Sequence, residues 1–249
     1  MSEINALLLA AGLGTRLRPL TEHCPKCLIP IAGRPLLEHW LCSLYRIGIG
    51  RVIVNMYHHH LLVESFLARS CFSDWVTGVL EHKLLGTAGT LRENSKSLSV
   101  GTTLVAHADN WCQCDFGAFM AFHRDRRPEG CPVTMMTFNT STPETCGIVE
   151  TDPTGVVVGF HEKVSDAPGT RANGAVYLLE PELLDWLAVE LGDVMQCRFR
   201  VWSSCRSVLL PDPEVCSSPT SCAWTPTFPT RSGPSLSHSR LNRANRRYL

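Results

Sequence analysis

No apolar run in this 249-residue sequence approaches the roughly 18 residues that a membrane-spanning helix needs. Net charge is also missing, with 23 Lys and Arg against 23 Asp and Glu, so the whole-chain balance carries no electrostatic footprint for nucleic acid. No basic stretch precedes Ala6–Ala11, which leads straight into Gly12-Leu13-Gly14-Thr15-Arg16, and a secretory signal is not expected. Internal repeats are lacking too. Two phosphate loops are excluded by missing residues. A dinucleotide fingerprint needs a glycine where Leu17 stands, which disfavours an NAD-dependent oxidoreductase, and a Walker loop needs a Gly-Lys-Ser/Thr that is absent.

What is present describes a folded chain. With 44% hydrophobic and 18% charged residues it is too apolar for disorder, and it is long enough for one sizeable core. Twelve cysteines imply a disulfide scaffold only in a short exported protein. We therefore expect mostly free, buried thiols in a reducing cytoplasm. Composition is uneven along the chain. Residues 191–249 hold eight arginines, no lysine, and only three acids, Asp193, Asp212 and Glu214, together with ten serines, six prolines and four cysteines.

Apolar runs alternate with amphipathic stretches, the βα rhythm of an α/β fold with a Rossmann-like, mostly parallel sheet. Ala6–Ala11 reads as a strand buried on both faces, ending in a glycine turn. Leu36, Leu37, Trp40, Leu41, Leu44 and Ile47 mark a helix over 35–47. Further strands are expected at 51–56, 79–81, 103–107 and 133–138, with helices at 61–68 and 116–124 and a turn at Gly86-Thr87-Ala88-Gly89. Next comes a small β subregion: two short strands, 147–150 and 156–160, joined by Asp152-Pro153-Thr154-Gly155. A strand at 175–179 and a helix opened by Pro181 follow, and after about residue 192 the periodicity stops.

The loop Gly12–Arg16 joins two glycines to Arg16 and Arg18. Glycines let backbone N–H groups approach an anion, although a plain turn after a strand explains them as well. The residues around it say more. Leu9 through Thr21, then Pro25-Lys26, resembles the signature of the sugar-1-phosphate nucleotidyltransferases without a gap. Leu85-Gly86-Thr87-Ala88-Gly89, His107-Ala108-Asp109-Asn110, Gly147-Ile148-Val149, Glu162-Lys163 and Asn173-Gly174-Ala175 follow in the family's order, together spanning about residues 4–190.

That resemblance implies the nucleotide-diphospho-sugar transferase fold and a reaction. A sugar 1-phosphate oxygen attacks the α-phosphorus of a nucleoside triphosphate and pyrophosphate leaves, which calls for positioning and charge neutralisation. It implies that Arg16 holds the leaving phosphates, that Lys26 places a point charge near the attacked phosphate, and that Asp109 offers a hard oxygen to Mg²⁺. Lys163 would hold the sugar's phosphate, Glu162 and Asn173 the sugar, and Gly147 would allow close backbone approach. Leu9, Ala11, Gly12, Gly14, Thr15, Gly86 and Thr87 would contact the nucleotide, largely through main chain. Each has an ordinary alternative: Asp109 as a turn or cap residue, Glu162-Lys163 as a surface pair. The 86–89 turn looks most like that of the mannose-1-phosphate guanylyltransferases, which points to GTP and mannose 1-phosphate. Uridylyl and cytidylyl relatives share similar turns.

The pattern departs from the family in two places. Val164 stands where a proline usually follows the Glu-Lys pair, and the second metal-binding Asp that family members carry downstream has no counterpart. Residues 1–192 thus read as a catalytic domain incomplete at its C-terminal side, and 193–249 as an atypical tail, either a shifted reading frame or a disordered basic segment. With one carboxylate lacking, a non-catalytic nucleotide- or sugar-phosphate-binding protein is the alternative. Other motifs have plain readings. Cys24-x-x-Cys27 encloses Lys26, His58-His59-His60 suits a strand-to-helix turn, and Met135-Met136 suits a core strand. Triphosphate and sugar 1-phosphate are the expected partners, with no nucleic acid and no membrane.

Overall fold

The computed structural model describes residues 4–190 and 207–209. The chain divides into units 1–214 and 215–249, and every described residue belongs to the first. Its elements run β1 (Asn5–Leu9), β2 (Pro30–Ile31), β3 (Arg34–Pro35), α1 (Leu36–Arg46), β4 (Arg51–Met56), α2 (His60–Leu67), β5 (Val76–Leu80), α3 (Gly86–Leu98), β6 (Thr103–His107), α4 (Phe116–Arg126) and β7 (Val133–Asn139). They continue with β8 (Gly147–Thr151), β9 (Val157–Glu162), β10 (Arg171–Leu179), α5 (Pro181–Glu190) and β11 (Ser207–Leu209).

Among the described residues nine strands form one sheet, ordered β11-β7-β10-β6-β1-β4-β5, with β8 on β10 and β9 on β8. The pairs β5–β4, β4–β1, β1–β6 and β11–β7 are parallel, whereas β10 runs antiparallel between β6 and β7. The expected mostly parallel α/β sheet is therefore what the chain forms. The expected small β subregion is present as the β8–β9 pair, in register from Gly147 opposite Glu162.

Alternation along β1 shows why helices cover both faces. Ala6 and Leu8 enter one core with α1, α2 and α4, while Leu7 and Leu9 enter another with Leu91 and Leu98 of α3 and Leu183, Leu184 and Leu187 of α5. A strand buried on both sides has no polar face, which is why it reads as a continuous apolar run. Helix α1 buries Leu36, Leu37, Trp40, Leu41 and Leu44. At roughly 1.5–3 kcal/mol for each large side chain, that stripe outweighs any propensity difference along the helix. It ends at Gly48, whose N–H reaches Tyr45 O at 3.0 Å.

Several boundaries differ from the sequence reading. The 86–89 turn is the first turn of α3, a thirteen-residue helix whose buried stripe includes Thr90, Asn94 and Ser95, so hydrophobicity alone does not reveal it. Helix α1 starts at Leu36, because Pro35 pairs with Pro30 in a short hairpin. Strand β10 begins at Arg171, with an irregularity between Asn173 and Tyr177 that masks its period. Where no period is legible, Ser207–Leu209 adds a strand beside β7.

At the amino ends of β6 and β7, far along the strands from their carboxyl ends, lies a buried polar cluster. His123 of α4 bridges Thr134 Oγ1 (2.6 Å) and Glu180 Oε1 (2.7 Å). Thr102 donates to the same carboxylate at 3.1 Å, and Arg127 approaches it at 3.5 Å.

Candidate active site

After β1 the chain lays β4 and β5 on one flank, then returns to the opposite flank of β1 with β6. Such a reversal opens a crevice beyond the carboxyl ends of the strands, the usual ligand position in open α/β sheets. Here it is a cavity of about 240 Å³. Leu9, Ala11 and Gly12 line it from the end of β1 and the loop after it, His107 and Asp109 from the end of β6 and the turn after it, and Leu84, Gly86 and Thr87 from the segment that opens α3. Asn55, Glu81 and Thr90 complete the lining.

Asp109 is held from several directions. Ala108 N–H donates to Leu9 O at 3.0 Å, Asn110 N–H closes a turn on His107 O at 3.1 Å, and Trp40 Nε1 donates to Asn110 O at 2.9 Å. Lys26, on a short 3₁₀ turn over Lys26–Leu28, brings Nζ to 2.9 Å from Asp109 Oδ2. Both side chains are about a quarter exposed, at 26% and 28%, so the pair is wet enough to receive a ligand and dry enough to matter. Burial pushes the thiol of Cys27, the next residue in sequence, up to about 12, so it stays neutral.

Gly14 joins the loop to Lys26. Its φ of +63° is left-handed, and a Cβ there would stand 2.9 Å from Thr21 Cγ2 and 3.3 Å from Lys26 Cβ. Thr21 Oγ1 donates to its carbonyl at 2.9 Å. Thr15 and Arg16 lie on the following 3₁₀ turn and are exposed, and Arg16 has no ion-pair partner among the described residues.

The other predicted residues gather at β8–β10. Gly147 faces Glu162 across β8 and β9, and a Cβ on Gly147 would meet Phe160 Cζ at 2.5 Å and Glu162 Oε2 at 2.9 Å. Lys163 leaves β9 with a left-handed φ of +50° and holds Nζ 2.9 Å from Glu162 Oε1. On β10, Asn173 donates from Nδ2 to Tyr177 OH at 2.7 Å and accepts from Ala175 N–H at 2.9 Å. Burial pushes the Tyr177 phenol up to about 12, against the Asn173 hydrogen bond and helped by the Glu162 charge.

Six predicted residues therefore line one cavity: Leu9, Ala11, Gly12, Gly86, Thr87 and Asp109. Lys26 touches it through Asp109, and Gly147, Glu162 and Lys163 form a second group. Sequence reasoning missed Asn55, Glu81 and Thr90. The available signal was an asparagine inside the apolar run Arg51–Met56, where an unpaired polar side chain would be costly.

A sequence model described as nucleotidyl transferase matches residues 5–210, most of the chain. The chain belongs to the nucleotidyl transferase family. Among curated family relatives, a mannose-1-phosphate guanylyltransferase of Mycobacterium tuberculosis is 33% identical over 184 residues, covering 74% of this chain and 50% of that protein. A UTP–glucose-1-phosphate uridylyltransferase of Synechocystis is 31% identical over 198 residues, covering 74% and 51%. The chain thus spans about half the length of the curated nucleotidyl transferases it matches. Solved structures agree in fold. One described as a glucose-1-phosphate thymidylyltransferase of Bacillus anthracis gives a TM-score of 0.69 at 20% identity, covering 77% of each chain. HddC of Yersinia pseudotuberculosis, complexed with GMP-PN, gives 0.66 at 19%, covering 83% of this chain and 89% of its own.

Proposed function

We propose that this chain transfers a nucleotidyl group from a nucleoside triphosphate, GTP before others, to a hexose 1-phosphate, mannose 1-phosphate before others. The observation that carries this is the Lys26–Asp109 pair at the rim of the switch-point cavity, which unites a cation and a carboxylate 83 positions apart. The guanylyl and mannosyl preference rests on the Gly86-Thr87-Ala88-Gly89 segment and on the Mycobacterium tuberculosis relative.

In this reading an oxygen of the sugar 1-phosphate attacks the α-phosphorus, the bond to the bridging oxygen of the β-phosphate breaks, and pyrophosphate leaves with that electron pair. Lys26 neutralises charge on the attacked phosphate, and Arg16 meets the leaving phosphates with a planar fork of donors. Leu9, Ala11, Gly12, Gly14, Thr15, Gly86 and Thr87 form the nucleotide's bed. Lys163 holds the sugar's phosphate, Glu162 and Asn173 the sugar, and Gly147 leaves room for it.

Magnesium bound with the triphosphate would supply further charge neutralisation. The residues fit that ion: Asp109 places a carboxylate at the rim, and Mg²⁺ is commonly held by one or two carboxylates plus substrate phosphates. Among the described residues no group of three or more His, Cys, Asp or Glu could hold a metal, so substrate phosphates and water would complete the ion's oxygens beside Asp109. Asp193 and Asp212 lie outside the described residues. With no second aspartate beside Asp109 in the cavity lining among the described residues, the second reading is a protein that binds nucleotide or sugar phosphate without turnover.

Residues 1–192 form the catalytic part in this proposal, and the coding DNA read in three frames tests whether 193–249 is a shifted frame. All eight cysteines among the described residues are free thiols, and no described helix is long and apolar enough to cross a membrane. The free thiols support a cytoplasmic place. The deciding experiment measures pyrophosphate release with Mg²⁺ across GTP, UTP, CTP, dTTP and ATP, each with mannose or glucose 1-phosphate. Release with GTP and mannose 1-phosphate is expected. Silence across the panel from folded protein would favour the binder.

A further inference from the structure

We infer that Asn55 and Glu81 are positioning residues for nucleotide binding, a buried bridge that fixes the loop after β1 against the start of α3. The inference rests on the nucleotide reading of the cavity given above. Asn55 is 2% exposed and Glu81 6%, yet both line the cavity. Asn55 Oδ1 accepts from Ala10 N–H at 2.6 Å, between Leu9 and Ala11. Its Nδ2 donates to Glu81 Oε1 at 2.8 Å and approaches Thr90 Oγ1 at 3.4 Å. Glu81 Oε1 also accepts from the Thr90 hydroxyl, and Oε2 accepts from Leu85 N–H at 3.3 Å, one residue before Gly86.

The polarity of this chain of bonds has one solution. Ala10 N–H demands an acceptor, which turns the Asn55 amide nitrogen toward Glu81. Glu81 then meets donors at both oxygens, a demand that a carboxylate satisfies and a carboxamide does not. Burying a carboxylate is costly, so an apolar pair would fill the same space at less expense. What the polar pair adds is direction. It sets where the backbone of Leu9–Gly12 and of Gly86–Thr87 stands on either side of the ligand, with neither side chain needing to touch the reacting atoms.

The test uses the full chain and GTP binding measured by calorimetry, with thermal melting alongside. Glu81→Gln sets a donor against a donor, at Asn55 and Thr90 or at Leu85. Asn55→Asp sets two carboxylates together. Each is expected to weaken GTP binding roughly 10- to 100-fold, the worth of a hydrogen bond to a charged group, and to raise the KM for GTP while that for the sugar 1-phosphate stays unchanged. The double variant Asn55→Asp/Glu81→Gln restores every donor–acceptor match and is expected to recover most of the affinity. Single variants that melt earlier but bind GTP as the parent does would overturn the inference, as would a folded double variant no tighter than the singles. If a single variant fails to fold, Thr90→Val removes one donor at constant shape and is read in its place, weaker GTP binding supporting the bridge and parental binding overturning it. A parent protein that binds none of the five triphosphates overturns the nucleotide reading itself, and the bridge with it.

Discussion

Lys26 and Asp109 neutralise each other across 2.9 Å, so removing either leaves the other partly buried without its partner. Lys26→Ala is expected to lower kcat for pyrophosphate release by roughly 10²–10³-fold, the usual loss when one preorganised charge donor is removed. Retention of kcat in steady-state assays would remove Lys26 from the reaction. Gly147 offers a contrasting case. A methyl group there would press on the Phe160 ring and Glu162, so Gly147→Ala should raise the KM for the sugar 1-phosphate and leave GTP affinity intact. An equal loss in both would place Gly147 elsewhere in the chemistry. These residues were legible because motif spacing carries them. Asn55, Glu81 and Thr90 were not, because their meaning lies in contacts 9 to 45 positions apart that no local pattern encodes.

Secondary-structure elements show the same division. Helix α1 announces itself through leucines at helical spacing, while α3 has the same spacing but fills it with Thr90, Leu91, Asn94, Ser95 and Leu98. Thr90 of that stripe belongs to the buried bridge and Asn94 donates to its carbonyl, so polar contacts occupy places where an apolar pattern would reveal the helix. Helix α4 carries a conventional signal, with Asp115 accepting from Ala118 N–H at 2.9 Å. Asp115→Ala is expected to cost about 1 kcal/mol of stability by denaturant titration. A variant indistinguishable from the parent would show that packing of Phe116 and Phe119 alone sets that helix start.

Across the molecule, the His123 cluster ties α4, the start of β7 and the residue after β10 together at the strand ends opposite the cavity. Burial lowers the His123 pKa from its ordinary 6.5, outweighing the Glu180 hydrogen bond that raises it. The folded state therefore binds this proton less readily than the unfolded chain, and stability is expected to fall as pH drops below about 6.5. His123→Gln should flatten that part of the stability–pH curve. An unchanged slope would assign the acid sensitivity to other groups. The overall α/β order was legible because βα alternation is a local rhythm. The antiparallel insertion of β10 between β6 and β7 was not, since strand direction within a sheet leaves no mark on the period of its residues.

Reversal of the chain at β1 also sets a timetable for synthesis. Once β4 and β5 have emerged from the ribosome they can close one side of β1, but its other side waits for β6, roughly fifty residues after the end of β4. At about 5–20 residues per second that interval lasts roughly 3–10 s. Throughout it Asn5–Leu9, an apolar strand built to be paired twice, presents open hydrogen-bonding groups to the cell. The nascent chain is therefore most prone to mispairing and chaperone capture just before the cavity beside β1 comes into being.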